Sequence, residues 1–152
     1  MDAREFLGLE RVGDDRWAFT VSERLITPGH FLYGGAGLAA GLAALEEATG
    51  RPTVWGTAQY VSHAPTGARV ELAVEPLAVG GRITQARATA TSEGRTVLTV
   101  AAALGTGELT SPAPWAAMPE VPRPEECAAR HRPPAWGANL FAHLESRIAR
   151  GR

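Results

Sequence analysis

LYGGAGLAAGLAALEEATG, residues 32–50, is of helix length and carries no charged side chain before Glu46. A helix that is apolar on every face has to be buried all round. Leu38, Leu42 and Leu45, spaced i, i+4 and i+7, form one greasy stripe. Gly34, Gly37, Gly41, Ala44 and Ala48 form a second stripe, of small residues, that lets another backbone approach closely. Gly50, Arg51 and Pro52 end the helix. The run is too short and too glycine-rich for a bilayer span, which takes roughly 20 consecutive apolar residues. It is therefore expected to be wrapped by the chain's own strands.

Strand signals lie on both sides of it. Residues 16–21 alternate Trp17, Phe19 and Val21 with Arg16, Ala18 and Thr20, the period of a half-buried strand. Residues 53–62, TVWGTAQYVS, are β-branched and aromatic, and close on the turn residues Ala64, Pro65, Thr66 and Gly67. Residues 68–78 set Val70, Leu72 and Val74 against Glu71 and Glu75, and Gly80 and Gly81 are expected to supply the positive φ of a tight hairpin. Residues 82–91 place Thr84, Ala86, Ala88 and Ala90 on a face small enough to lie against a helix, with Gln85, Arg87 and Thr89 opposite. Ser92, Glu93 and Gly94 make the next turn. Residues 96–104, TVLTVAAAL, are nearly all apolar, which predicts a central strand or a buried interface. Short turns exclude a parallel sheet, whose neighbours need long crossovers. The predicted fold is α+β, an antiparallel sheet of about five strands around one long central helix near residues 34–49.

Residues 112–134 hold seven prolines in twenty-three positions, which argues against packed regular structure and for an extended strap. The expected division is a helix-and-sheet domain over 1–110, a proline-rich linker or strap over 111–138, and a C-terminal segment over 139–152. In that segment Asn139 is expected to cap a short helix bearing Leu140, Leu144 and Ile148 on one side. FAHLE at 141–145 echoes FLGLE at 6–10, as though a second copy of the domain were beginning.

At 152 residues the chain is about one domain. A single cysteine, Cys127, excludes an intrachain disulfide, and no secretory signal opens the chain; a soluble cytoplasmic protein is expected. The net charge of -1, with both signs interspersed, gives no drive toward nucleic acid or a membrane surface. All fifteen basic residues are arginine, as GC-rich codon usage would produce. No Gly-x-Ser-x-Gly elbow, Walker loop, dinucleotide fingerprint or metal-ligand spacing occurs, which disfavours serine-hydrolase and metalloenzyme chemistry; no metal or cofactor is expected.

LYGGAGLAAGL, then WGTAQYVSHAPTGARVEL, then VGGRITQARATATSEGRTVLTVAAALG resemble the N-terminal repeat of the acyl-CoA thioesterase II-like proteins, which are double-hotdog enzymes. The likeness covers about residues 6–105, and MPEVPRPEEC resembles that family's inter-repeat linker. The resemblance implies a hotdog fold, a pair of hotdogs as the working unit, and an acyl thioester of CoA or acyl carrier protein as substrate. A homodimer, or pairing with a second hotdog domain, follows as an expectation, with 96–104 as its contact. Two departures stand out. That family's hydrolytic Asp, hydroxyl residue and Gln come mainly from the C-terminal repeat. The helix acid of many single-hotdog thioesterases, about two turns beyond the Gly-Gly, is replaced here by Gly41, Leu42 and Ala43.

Thioester hydrolysis needs donors for the carbonyl oxygen and a group to activate water. Gly34 and Gly35 open the helix, so their N–H groups at the positive end of its dipole are candidates for the carbonyl; close packing is the competing reading. His30 and Tyr33 are candidates to flank the same spot. Glu46 lies eleven residues past Gly35, roughly 16 Å along the axis, so Glu46 and Glu47 read as solvated residues of the last turn. Thr57, Gln59 and His63 share one face at i, i+2 and i+6. They are ordinarily a solvent face, but the resemblance puts this strand along the acyl-thioester cleft, which makes them the catalytic candidates. Arg82 and Arg87 are either nucleotide-phosphate contacts or solubilising charges. Cys127 has no base partner in sequence and reads as inert. The expected function is an acyl-CoA thioesterase-like hotdog protein that hydrolyses or binds acyl thioesters. The rival is a non-catalytic acyl-binding half that requires a partner domain. A hydratase-type hotdog ranks last, because no Asp/His pair is evident.

Overall fold

The computed structural model describes residues 2–106, 117, 119–134 and 137–150. A short helix α1 (Ala3–Leu7) leads into β1 (Glu10–Gly13) and β2 (Arg16–Thr20). The long helix α2 (Gly34–Thr49) follows, then β3 (Thr53–Tyr60), β4 (Arg69–Val79), β5 (Ile83–Ser92) and β6 (Arg95–Gly105). These strands form one sheet in the order β1-β2-β4-β5-β6-β3, with every pairing antiparallel. The chain leaves α2 for the far edge beside β6 and then returns to lie beside β2. This is the hotdog arrangement, with one extra strand, β1. Among the described residues no helix is long and apolar enough to cross a membrane.

Alternation sets the core as expected. Val70, Leu72 and Val74 of β4, Thr84, Ala86, Ala88 and Ala90 of β5, and Leu98, Val100, Ala102 and Leu104 of β6 are all buried. The small residues of α2 let it settle onto this surface: a Cβ on Gly37 would stand 2.8 Å from Leu98 Cδ2, and one on Gly41 2.7 Å from Val100 Cγ2. Side chains of β6 fill those gaps, where the sequence suggested another backbone. Nor is α2 buried all round. Ala36, Gly37, Ala40, Gly41, Ala44 and Leu45 are buried, while Leu38 and Leu42 are half-buried and Gly35 is exposed. The sheet covers one side of the helix, and α1 covers only part of the other.

Four further features refine or correct the expectations. β1 carries no apolar alternation to announce it; all four of its residues are exposed. Gly80 and Gly81 do not take positive φ. Instead the Gly80 N–H donates to the Ile83 carbonyl at 2.9 Å, and a Cβ on Gly80 would lie 2.7 Å from that oxygen. β6 is the central alternative realised, as the sequence allowed: both its edges are used, by β5 and β3, so any contact of residues 96–104 with a second copy would have to be made through the sheet face and not through edge pairing. The free edge beside it is β3, where Val54, Trp55, Tyr60 and neighbouring Val61 are each more than half exposed. The acids of the last helical turn are also engaged: Glu46 Oε1 accepts from the Thr53 N–H at 2.8 Å, and Glu47 pairs with Arg4 of α1 at 3.0 Å.

The turn between β5 and β6 takes two left-handed residues, Glu93 (φ 50°) and Gly94 (φ 76°), as a primed two-residue hairpin loop requires. Left-handed backbone is unfavourable for glutamate and easier for asparagine. Glu93→Asn is therefore expected to raise stability by about 1 kcal/mol, read as a higher urea midpoint at unchanged slope. A lower midpoint would show that Glu93 is held there by something other than the turn.

Residues 107–116, which straddle the expected boundary between domain and linker, lie outside the described residues, as do 118, 135 and 136 within the linker. Beyond residue 118 the proline-rich stretch holds a 3-10 turn (Pro124–Glu126), a buried Cys127 and a two-residue strand β7 (Ala128–Ala129), so it is less extended than its prolines imply. Asn139 does cap, its Oδ1 accepting from the Phe141 N–H at 2.9 Å, but the helix is a single 3-10 turn, Leu140–His143. The chain turns extended at Leu144 (φ -113°, ψ 128°) and carries Ile148 into β8 (Arg147–Ile148), which pairs with β7. Leu140 is buried, and its N–H donates to the Ile26 carbonyl at 3.0 Å, docking this segment beside the start of α2.

Candidate active site

The head of α2 is held by the loop that precedes it. The Leu32 N–H donates to the Ala64 carbonyl and the Tyr33 N–H to the Leu25 carbonyl, each at 2.8 Å. Tyr33 is the N-cap and offers no side-chain cap; its carbonyl accepts from Ala36 and Gly37 at 3.0 and 3.1 Å. The N–H groups of Gly34 and Gly35 have no hydrogen-bond partner among the described residues. Two tyrosine rings explain why both positions are glycine. A Cβ on Gly34 would stand 2.9 Å from Tyr60 Cε1, and one on Gly35 2.6 Å from Tyr33 Cε1. The Tyr60 hydroxyl donates to the Gly34 carbonyl at 3.1 Å, which pins the edge of β3 to the helix head. Close packing and open N–H groups thus coexist at the Gly-Gly.

From this head an apolar groove runs between the exposed side of α2, α1 and the C-terminal turn. Gly35, Ala36 and Ala39 form its floor, and Phe6, Leu7, Tyr33, Leu140 and Leu144 its walls. Tyr33 is braced edge-on by Phe141, ring centroids 5.8 Å apart. Asp2 stands at the groove's rim and is the acid that lines it. Its carboxylate accepts the Glu5 N–H at 2.8 Å as the cap of α1, and that bond holds its pKa below the ordinary value. A carboxylate so stabilised is a poor base.

His30 and His63 lie at the same end of the sheet. His30 takes a left-handed conformation (φ 60°), and its carbonyl accepts from both the N–H and the hydroxyl of Thr66 at 3.0 Å. The exposed Phe31 ring stands edge-on to His63 at 6.3 Å. His63 therefore belongs to the loop beyond β3, which ends at Tyr60, and does not continue the strand face of Thr57 and Gln59. Those two are opposite Ala101 and Thr99 of β6, whereas Gly56, Ala58 and Tyr60 are opposite the buried Ala102, Val100 and Leu98. Thr57 and Gln59 thus face away from α2. The structure brings Tyr33, Gly34 and Gly35 together at one spot, places His30 in a separate recess with Pro65 and Thr66 and His63 against Phe31, and leaves Thr57 and Gln59 on the other side of the sheet. Arg87 is on that side too, paired with Glu75 at 2.6 Å. Tyr60, Leu140 and Leu144 were missed as site residues. The small Gly56 and Ala58 ahead of Tyr60 were the available signal for its helix-facing side. Among the described residues, no three His, Cys, Asp or Glu side chains converge as a metal site would require.

Comparison with known proteins gives concordant results. The profile of the acyl-CoA thioesterase N-terminal domain matches residues 22–106. A candidate thioesterase from Novosphingobium aromaticivorans is 39% identical over 93% of this chain, with a TM-score of 0.83. A candidate thioesterase II from Thermobifida fusca, 20% identical over 95% of the chain, superposes with a TM-score of 0.81. The chain spans 58% and 53% of these two proteins. A Streptococcus mutans protein solved with acetyl-CoA bound shares the fold at 14% identity, with a TM-score of 0.59 over 66% of this chain and 90% of that one. No curated protein matches.

Proposed function

This chain belongs to the acyl-CoA thioesterase N-terminal domain family, and from that premise we propose that it holds an acyl thioester with the carbonyl at the head of α2 and the acyl chain in the adjoining groove. The observation that carries this reading is the pair of unpaired N–H groups on Gly34 and Gly35, opening onto a groove with apolar walls. In hydrolysis, water adds to the thioester carbon, the carbonyl oxygen becomes an oxyanion, and the thiolate leaves and is protonated. Gly34 and Gly35 would stabilise that oxyanion at the positive end of the helix. Tyr33 and His30 flank the site. His63 is the proposed handler of water, through a ring nitrogen able to accept a hydrogen bond from it. Thr57 and Gln59 face away from the carbonyl within one domain, so their proposed part is confined to the far face of the sheet.

The remaining water chemistry falls to a second hotdog, from a homodimer or from a partner domain, paired along the free edge of β3. Light scattering at micromolar concentration is expected to show a dimer, and Val54→Lys with Val61→Lys to shift it to monomer; a monomeric native chain would refute homodimer pairing. The protein would work in the cytoplasm, where acyl-CoA and acyl carrier protein thioesters are made and used.

The rival reading, a non-catalytic acyl-binding half, is favoured by the state of the acids: Glu46 and Glu47 lie at the far end of α2, and these two and Asp2 at the groove's rim are each committed to a structural contact. The deciding experiment is thiol release from medium- and long-chain acyl-CoAs alongside calorimetric binding. We expect binding with slow turnover, since losing a general base costs about 10²- to 10⁴-fold. Binding with no turnover selects the rival, and no binding of any acyl-CoA overturns both.

A further inference from the structure

Arg130, His131 and Arg132 line a small recess together with Phe141, Leu144 and Ser146. Leu144 is also a wall of the apolar groove, and Phe141 is the ring that braces Tyr33 at the head of α2. Leu144 is therefore a wall common to the recess and the groove, and Phe141 stands between the recess and the Tyr33 ring at the helix head. The recess is built on short regular structure. The Arg130 N–H donates to the Ser146 carbonyl at 2.8 Å, β7 pairs with β8, and Arg147 reaches the Cys127 carbonyl at 3.1 Å. Within this unit the Arg147 charge is matched by Glu145, and Glu125 and Glu145 line a different recess. Arg130 and Arg132 have no acidic partner among the described residues. Uncommitted guanidiniums next to an apolar groove suit a ligand that is greasy at one end and anionic at the other.

Building on the acyl-thioester reading above, we infer that Arg130, His131 and Arg132 form the anion site for a phosphate of the carrier that bears the acyl thioester. Guanidinium forks match phosphate oxygens in pairs, which gives both energy and orientation. The contact places the carrier outside the groove, past Phe141, while the acyl chain runs the other way between α1 and α2. It also moves the phosphate contact away from Arg87, which Glu75 occupies on the far face. The phosphate has two sources, the nucleotide phosphates of CoA and the single phosphate of a protein-borne phosphopantetheine.

The test is titration calorimetry with three hydrolysis-resistant ligands: S-decyl-CoA, S-decyl-phosphopantetheine and the uncharged S-decyl-N-acetylcysteamine. The native chain is expected to prefer phosphate-bearing ligands over the uncharged one by about 10-fold or more, a margin that shrinks with salt. Arg130→Gln with Arg132→Gln should erase that preference while leaving the uncharged ligand's affinity intact. Lysine at both positions should keep part of it, and Arg51→Gln, just past the C-terminal end of α2 and so at the opposite end of the helix from its head, should change nothing. Equal binding of the two phosphate-bearing ligands assigns the pantetheine phosphate; preference for CoA alone assigns the nucleotide's. If the double glutamine variant binds S-decyl-CoA as the native chain does, the anion site is overturned and the acyl-thioester reading stands. If it loses the uncharged ligand equally, the arginines are structural and the site is again overturned. If the native chain binds none of the three, both fall together.

Discussion

Gly35→Val is expected to lower thioester turnover by about 100-fold and to weaken acyl-CoA binding with it, because it disturbs a proposed oxyanion donor. A Cβ at this position would stand 2.6 Å from Tyr33 Cε1 and 3.3 Å from Cδ1. The new side chain must displace the Tyr33 ring into the groove or be driven over the open N–H itself, and a β-branched residue has few rotamers with which to avoid both. Stability should move little, since valine is a better helix former than glycine and offsets the contact. The informative measurement is therefore kcat/KM and Kd beside a melting curve. Unchanged kinetics in a folded variant would remove the helix head from the mechanism. Equal loss of stability and activity would mark Gly35 as a packing position only.

Gly41→Ala should act on the other face of the same helix and only through stability. Its Cβ would meet Val100 at 2.7 Å from Cγ2 and 3.3 Å from Cβ, in a core that has no room to yield. Overpacking of this kind typically costs about 1–3 kcal/mol, more than the roughly 1 kcal/mol that alanine gains over glycine in helix propensity. The partner substitution exposes the cause. Val100→Ala alone should destabilise by leaving a void, and adding Gly41→Ala to it should restore stability, a reversal of sign between the two backgrounds. Additive losses in urea melts would show that the helix and β6 do not set each other's spacing at this point.

Position 41 illustrates what could be read without coordinates. A glycine on the small stripe of an apolar helix announces a close neighbour, and the buried alternation of Leu98, Val100 and Ala102 announces a strand fit to be that neighbour. Local periodicity carried both, as it carried Val70, Leu72 and Val74 against Glu71 and Glu75. β1 stayed hidden because ERVG, exposed throughout, has no apolar period to betray it. The site was half legible. Gly34 and Gly35 stand out in any scan, but the rings of Tyr60 and Tyr33 that demand them depend on where β3 falls in the sheet. Thr57 and Gln59 were grouped with His63 by counting along a strand that in fact ends at Tyr60. The groove was beyond reach, because Phe6 and Leu144 lie at opposite ends of the sequence and nothing local says that they share a wall.

The bond from Leu140 to Ile26 has a kinetic consequence. The sheet and α2 are complete once β6 has been made, and every contact among them is available to a chain still growing. The groove is not, because Leu140 and Leu144 trail the end of β6 by 35 and 39 residues and are still inside the ribosome when β6 emerges. At about 5–20 residues per second, several seconds separate a folded core from a closed groove. During that interval Tyr33, Ala36 and Ala39 stand open beside α1, an apolar surface on an otherwise finished domain. A nascent chain of this protein therefore passes through a stage at which its core is formed while one wall of the groove is missing.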